Sequence, residues 1–67
     1  MTASTTVHTS ERNGYRITVY AYTVKGAKRF GSRVTNLTTG NSEQTPGWSS
    51  RSVALEVAQE AADKAQI

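Results

Sequence analysis

The chain has 67 residues, no cysteine, one histidine and a formal net charge of +3, so it has room for one small domain. A disulfide is excluded, and a single histidine without cysteine cannot form a structural zinc site. Because so short a chain has a thin core, self-association is the remaining common source of extra stability.

The first ten residues are rich in threonine and serine, and Val7 is the one large aliphatic side chain after Met1. This composition predicts that residues 1–12 are flexible or weakly ordered, although the β-branched stretch "STTVHTS" leaves a short edge strand open. Asn13-Gly14 is a strong turn signal, which would make a hairpin if a strand precedes it. Since this segment lacks a basic and apolar leader, we expect a cytoplasmic protein without a membrane partner.

Residues 15–24, "YRITVYAYTV", form the clearest predicted strand. Because successive side chains of a strand point to opposite sides, this strand has one uncharged set of side chains and one polar set that includes an arginine and two tyrosines. The first set is Tyr15, Ile17, Val19 and Ala21, and the second is Arg16, Thr18, Tyr20, Tyr22 and Val24.

A second strand is predicted over residues 30–39, after a turn in "KGAKR". Phe30, Ser32 and Val34 would share one face, with Arg33 on the other, and Gly31 is a candidate for a β-bulge. A turn over 39–41 then precedes a short polar strand, "SEQT", which we expect to stop at Pro46-Gly47.

Residues 49–66 predict a helix, with Ser49 or Ser50 as an N-cap that accepts a backbone hydrogen bond. At about 100° per residue, its apolar residues form one arc, largely of alanine: Val53, Ala54, Leu55, Val57, Ala58, Ala61, Ala62 and Ala65. The expected fold is α+β: a three-stranded antiparallel sheet, or four-stranded if the N-terminal segment pairs, with one C-terminal helix packed on one face. Residues 13–67 would form a single ββ(β)α domain.

Enzyme signatures are missing, and we expect no catalytic activity, no cofactor and no metal site. A catalytic triad would have to use His8, which lies in the weakly ordered segment, whereas catalysis needs a rigid scaffold. Glu56, Glu60 and Asp63 are typical of a solvated helix face rather than of converging metal ligands.

Basic residues are concentrated in the predicted strands, because residues 12–33 carry six of the eight and no acidic residue. One side of the sheet would be left uncovered by a single helix, and arginine and tyrosine there can contact phosphates and bases. The candidate nucleic-acid-binding residues are Arg16, Tyr20, Tyr22, Lys25, Lys28, Arg29 and Arg33. Two alternatives stay open: a protein–protein or homodimer surface formed by the same tyrosines, and a solvated face without a partner.

The order of two strands, a short strand and the helix "SSRSVALEVAQEAADKA", after "YR" at 15–16, resembles plant AP2-type and phage integrase N-terminal DNA-binding domains over residues 15–66. In those families a three-stranded sheet enters the major groove with the helix behind it. The resemblance implies DNA contacts by Arg16 and Arg33, which match in residue type and strand placement. The chain also looks like short uncharacterised proteobacterial proteins with the same ββ(β)α pattern. This resemblance implies a small bacterial protein and does not point to any particular activity.

Overall fold

A computed structural model describes residues 4–65 as a four-stranded antiparallel sheet followed by one helix. The strands lie in chain order, so that the first and last form the two edges. The predicted α+β fold is confirmed, and the fourth strand that the sequence left open is the N-terminal one. The elements are β1 (Thr5–Arg12), β2 (Tyr15–Val24), β3 (Ala27–Asn36), β4 (Ser42–Trp48) and α1 (Arg51–Lys64).

Two-residue turns connect the first three strands. The φ angles are 54° and 80° at Asn13 and Gly14, and 51° and 78° at Lys25 and Gly26. Positive φ at both central residues is typical of the type I′ turn, whose twist matches that of the strands it joins. The turn predicted at Asn13-Gly14 is therefore confirmed, and both hairpins have a register fixed by their turns.

The core lies between α1 and the inner residues of β2 and β3. Tyr15, Ile17, Val19 and Val34 are buried there, as the alternation predicts. On the helix the line of closest contact runs through its alanines 54, 58 and 62, which are 0–1% exposed. Because these side chains are small, the helix lies close to the sheet.

The helix differs from the predicted one at its edges and ends. Val53 is 40% exposed, because it lies one residue, and therefore about 100°, away from the contact line. Ser50 occupies the N-cap position, but its side chain accepts no hydrogen bond; the helix instead starts where the Ser50 carbonyl accepts from the Ala54 amide. It ends at Lys64, because Ala65 adopts a left-handed conformation with φ of 51°. The last predicted helical position, residue 66, lies outside the described residues.

One prediction about the end of the sheet is wrong, and the β-bulge expected at Gly31 is found on its β4 side. The last strand does not stop at Pro46-Gly47 but continues to Trp48. The pairing of β3 with β4 contains a bulge on β4, where Pro46 and Gly47 together lie opposite Gly31. β2 and β3 pair without interruption at Gly31, so the bulge affects only the pairing of β3 with β4. Proline is tolerated in β4 because this is an edge strand.

Candidate nucleic-acid interface

The side of the sheet opposite α1 carries no second layer in the described part of the chain. Strand alternation places the polar set of β2 on this side, and the β2–β3 register brings Arg29, Gly31 and Arg33 to the same side. Gln44 joins them from β4 because it pairs with Arg33. We call this side the open face; its central residues are Arg16, Thr18, Tyr20, Tyr22, Arg29, Gly31, Arg33 and Gln44.

Both tyrosines of the open face lie across β3 rather than pointing away from the sheet. The Tyr20 hydroxyl accepts a 2.8 Å hydrogen bond from Gln44 Nε2, and the Tyr22 hydroxyl accepts one of 2.8 Å from the Gly47 amide. Both donors belong to β4, two strands away from β2. The tyrosines therefore join the centre of the sheet to its proline-containing edge.

Gly31 allows Tyr20 to lie flat. The two residues are directly paired across the β2–β3 hairpin. A Cβ atom at position 31 would lie 2.4 Å from Tyr20 Cζ, far inside van der Waals contact. The inner face of the ring thus rests on the glycine backbone, which is a known way to protect a strand glycine with a cross-strand aromatic ring.

Tyr20 and Tyr22 form a continuous aromatic surface, which we call the tyrosine platform. Their ring centroids are 5.8 Å apart and their planes differ by 33°. Both residues are half-buried, since each ring lies along the sheet and its outer side remains accessible. Beside them is an open concavity of about 440 Å³, lined by Ser4, Tyr20, Tyr22, Gln44 and Pro46.

Among residues 4–65, the hydrogen bonds on the open face leave the phenolic protons of Tyr20 and Tyr22 unused. Arg33 Nη2 donates to Gln44 Oε1 at 3.0 Å, and arginine can only donate. The amide group of Gln44 therefore turns its NH₂ towards Tyr20, whose oxygen must accept. The backbone amide of Gly47 is likewise only a donor, so Tyr22 also accepts. Each hydroxyl keeps a proton to donate to a further acceptor.

Three arginines share the open face with the tyrosine platform. Arg16 Nη2 lies 3.4 Å from Glu11 Oε2, in an exposed ion pair. Arg33 is bonded to Gln44, and Arg29 Nη1 donates to the neighbouring Lys28 carbonyl at 3.3 Å. Within residues 4–65, neither Arg29 nor Arg33 has a carboxylate within 4.0 Å.

The candidate residues do not all share one side. Five of them, Arg16, Tyr20, Tyr22, Arg29 and Arg33, belong to the open face. Lys25 is exposed at the tip of the β2–β3 turn. Lys28 lies towards the other side, where its Nζ is 5.5 Å from the centroid of the Phe30 ring. Sequence reasoning missed Gln44 and the role of Gly31. Only the strand register brings Gln44 to the tyrosines, whereas a glycine in mid-strand was a signal that something approaches closely.

Carboxylates lie mainly on the helix side of the described residues. Glu43 lines a concavity there with Val57 and Glu60, and Glu56 and Asp63 are exposed on the helix. Arg12 Nε and Nη2 donate to the two carboxylate oxygens of Asp63 at 2.7 and 3.0 Å. This hydrogen bonding lowers the pKa of Asp63 below its ordinary value. Glu11 is thus the one acidic residue of the described chain on the open face.

Comparisons of the chain with protein-family models, with curated proteins and with solved structures give no match. Between residues 4 and 65 there is no helix with the length and apolar character needed to cross a membrane. In the same range, no three histidine or acidic side chains converge on a point that could hold a metal ion.

Proposed function

We propose that the protein binds nucleic acid through the open face of its sheet. Arg16, Arg29 and Arg33 contact phosphates or base edges, and the tyrosine platform provides flat contact area for bases. Lys25 and Lys28, at the tip of the β2–β3 hairpin, add positive potential around the site. This proposal extends the expectation drawn from the sequence to a defined surface.

The observation that carries the proposal is the separation of charge between the two sides of the sheet. Three arginines lie on the open face with Glu11 as their acidic neighbour, while the other four carboxylates of the described residues lie on the helix side. A surface of this kind concentrates positive potential on one side and steers anionic polymers towards it. The unused phenolic protons also favour a nucleic acid, because they can be donated to the acceptor oxygens of phosphates and bases.

A homodimer formed through the same face is the second candidate, favoured by the half-buried tyrosines, since aromatic residues and arginine are enriched in interfaces. Packing two open faces together would bring six arginines into contact with only two glutamates. Like charges in such a contact are costly when they lose water. A polyanion neutralises the same arginines, so we favour nucleic acid.

Adjacent residues of the β2–β3 hairpin provide the test. Arg29→Ala and Lys28→Ala each remove one positive charge, but only Arg29 belongs to the open face. Fluorescence anisotropy with labelled oligonucleotides, at low and at near-physiological salt, measures the affinity and its salt dependence. We expect binding that weakens steeply with salt, and Arg29→Ala should reduce the slope of log K against log salt by about 0.7–0.9, the value for one lost phosphate contact. Lys28→Ala should change the slope less.

Circular dichroism melting of both variants serves as the control, because neither side chain is in the core and both melts should match the native one. Absence of binding in dilute buffer would contradict the proposal. Equal effects of the two substitutions would place the contact elsewhere than on the open face. Sedimentation that detects a salt-resistant dimer would favour the second candidate.

A further inference from the structure

The tyrosine platform is held in place before any ligand arrives. Each ring is fixed at one end by the backbone of β2 and at the other by the hydrogen bond from β4 to its hydroxyl. The Tyr20 ring also rests on Gly31, so it cannot tilt inward. Because ordering of side chains weakens binding, a surface that is already ordered loses little on contact with a ligand.

A ligand on this surface would meet two kinds of group. The outer sides of the rings offer a flat aromatic contact, and the two phenolic hydroxyls offer protons. Beside them, the concavity of about 440 Å³ falls within the roughly 300–1,000 Å³ range of small-ligand sites. A planar heterocycle with oxygen acceptors at its edge satisfies all three features, and the flanking arginines suit a phosphate attached to it.

We propose, on the basis of the nucleic-acid-binding function above, that the ligand is single-stranded, with unpaired bases stacked on Tyr20 and Tyr22. In a duplex the faces of the bases are covered by their neighbours and only their edges are open in the grooves. An aromatic surface that lies flat can use a base only when that base is unstacked. Stacking on aromatic side chains is the common element of single-strand recognition and tolerates any base, because every base has a π-face.

The phosphates of the strand would lie along the arginines that border the platform. Arg33 is placed near Tyr20 through Gln44, and Arg29 is directly paired with Tyr22. These contacts use phosphates and base faces, which DNA and RNA share. We therefore expect oligo-dT and oligo-rU to bind with similar affinity, both more tightly than a duplex of equal length.

The experiment compares oligo-dT with an abasic deoxyribose-phosphate oligomer of the same length, about ten units, within the 4–16-nucleotide site size of small single-strand binders. Both carry the same phosphates, and only the first carries bases. We expect the native protein to bind oligo-dT about tenfold or more tightly than the abasic oligomer, the range for stacking of one or two bases. Tyr22→Leu should lower this ratio severalfold, because only Tyr20 is left to stack a base.

Tyr22→Phe is the matched control, because it keeps the ring and removes the hydroxyl. It should leave the ratio largely intact and weaken both complexes by about twofold to tenfold, the effect of one lost hydrogen bond. Oligo-rU and a duplex complete the series. A melting curve for each variant checks that the fold is retained, and Tyr22 suits the test because the atoms nearest to position 31 belong to Tyr20.

The outcomes separate the two proposals. If every oligomer fails to bind, the nucleic-acid function is overturned and this inference with it. If binding is salt-dependent but oligo-dT, the abasic oligomer and the duplex bind equally, only the single-strand inference fails. If Tyr22→Leu keeps the native ratio, the bases stack elsewhere and the platform is structural.

Discussion

The two sides of the sheet are formed by alternate residues of the same strands, yet different forces hold them. On the helix side Ile17, Val19 and the alanines at 54, 58 and 62 are almost completely buried, and this apolar burial stabilises the domain. On the open face, hydrogen bonds between Arg33, Gln44 and Tyr20 hold the side chains in position. The helix side therefore supplies most of the apolar burial, while the open face keeps its polar groups near water.

Both sides depend on a small residue at the point of closest approach. Ala58 lets the helix lie near the sheet, and Gly31 lets the Tyr20 ring lie on β3. The two positions differ in whether the neighbouring atoms can move to accommodate a larger side chain. Around Ala58 the neighbours are packed core, whereas the atoms nearest to position 31 are the far end of the Tyr20 side chain, which can move outward. Substitutions at the two positions should thus have effects of different size.

The largest effect is expected for Ala58→Asp. This change puts an unpaired charge and extra volume at a position that is 1% exposed. A buried charge without a partner costs several kcal/mol, which is comparable to the entire stability expected for about 60–70 residues. We expect loss of the cooperative thermal transition by circular dichroism. Ser52→Asp, which adds the same charge at an exposed helix position, is the control and should melt like the native protein. A normal melt of Ala58→Asp would mean that the helix packs through another face.

A smaller effect is expected for Gly31→Ala, and it should depend on Tyr20. The new methyl group forces the ring off the sheet, so we expect a loss of about 1–3 kcal/mol, the usual effect of overpacking. In a Tyr20→Ala background the clash is absent, and Gly31→Ala should be neutral or stabilising by about 0.5–1 kcal/mol, because alanine is better than glycine in a strand. Denaturant unfolding of the four proteins in this double-mutant cycle measures the coupling. The same change in both backgrounds would show that the ring does not rest on Gly31.

The smallest effect is expected at the Arg12–Asp63 pair, which joins β1 to the end of the helix. Both side chains are about half exposed, so the contribution is minor and screened by salt. The hydrogen bond from Arg12 lowers the pKa of Asp63 in the folded state, and the pair therefore stabilises the protein above the ordinary aspartate value of 3.8. The stabilisation is lost as the pH falls through 3.8 towards the lower folded-state pKa.

Thermal melts of the native protein and of Asp63→Asn across this pH range check the effect. The native protein should have a slightly higher Tm at neutral pH, and the difference should shrink as the pH falls below 3.8. Glu56→Gln, on the same helix but without an ion pair among the described residues, should show no such trend. A difference that is constant with pH would mean that the pair contributes nothing through charge.

Prediction from sequence worked where one local rule decides the structure. The alternation in "YRITVYAYTV" separated the buried Ile17 and Val19 from the open-face Tyr20 and Tyr22, and Asn13-Gly14 predicted its turn. It failed where two distant segments meet. The end of β4 was predicted too early, because proline reads as a strand stop unless the edge position of the strand is known. Lys28 and Arg29 were both candidate residues, and a one-residue step along the strand places them on opposite sides of the sheet.

The sequence by itself determined the α+β class, the helix with its alanine stripe and the concentration of positive charge in the central strands, since these follow from periodicity and composition. Tertiary structure alone decided that Tyr20 lies on Gly31, that Gln44 directs both Arg33 and Tyr20, and that Arg12 is paired with Asp63. The physical reason is the distance along the chain between the residues that interact. Periodicity acts between neighbours along the chain, whereas the orientation of a side chain depends on atoms that only the pairing of strands brings within hydrogen-bonding distance.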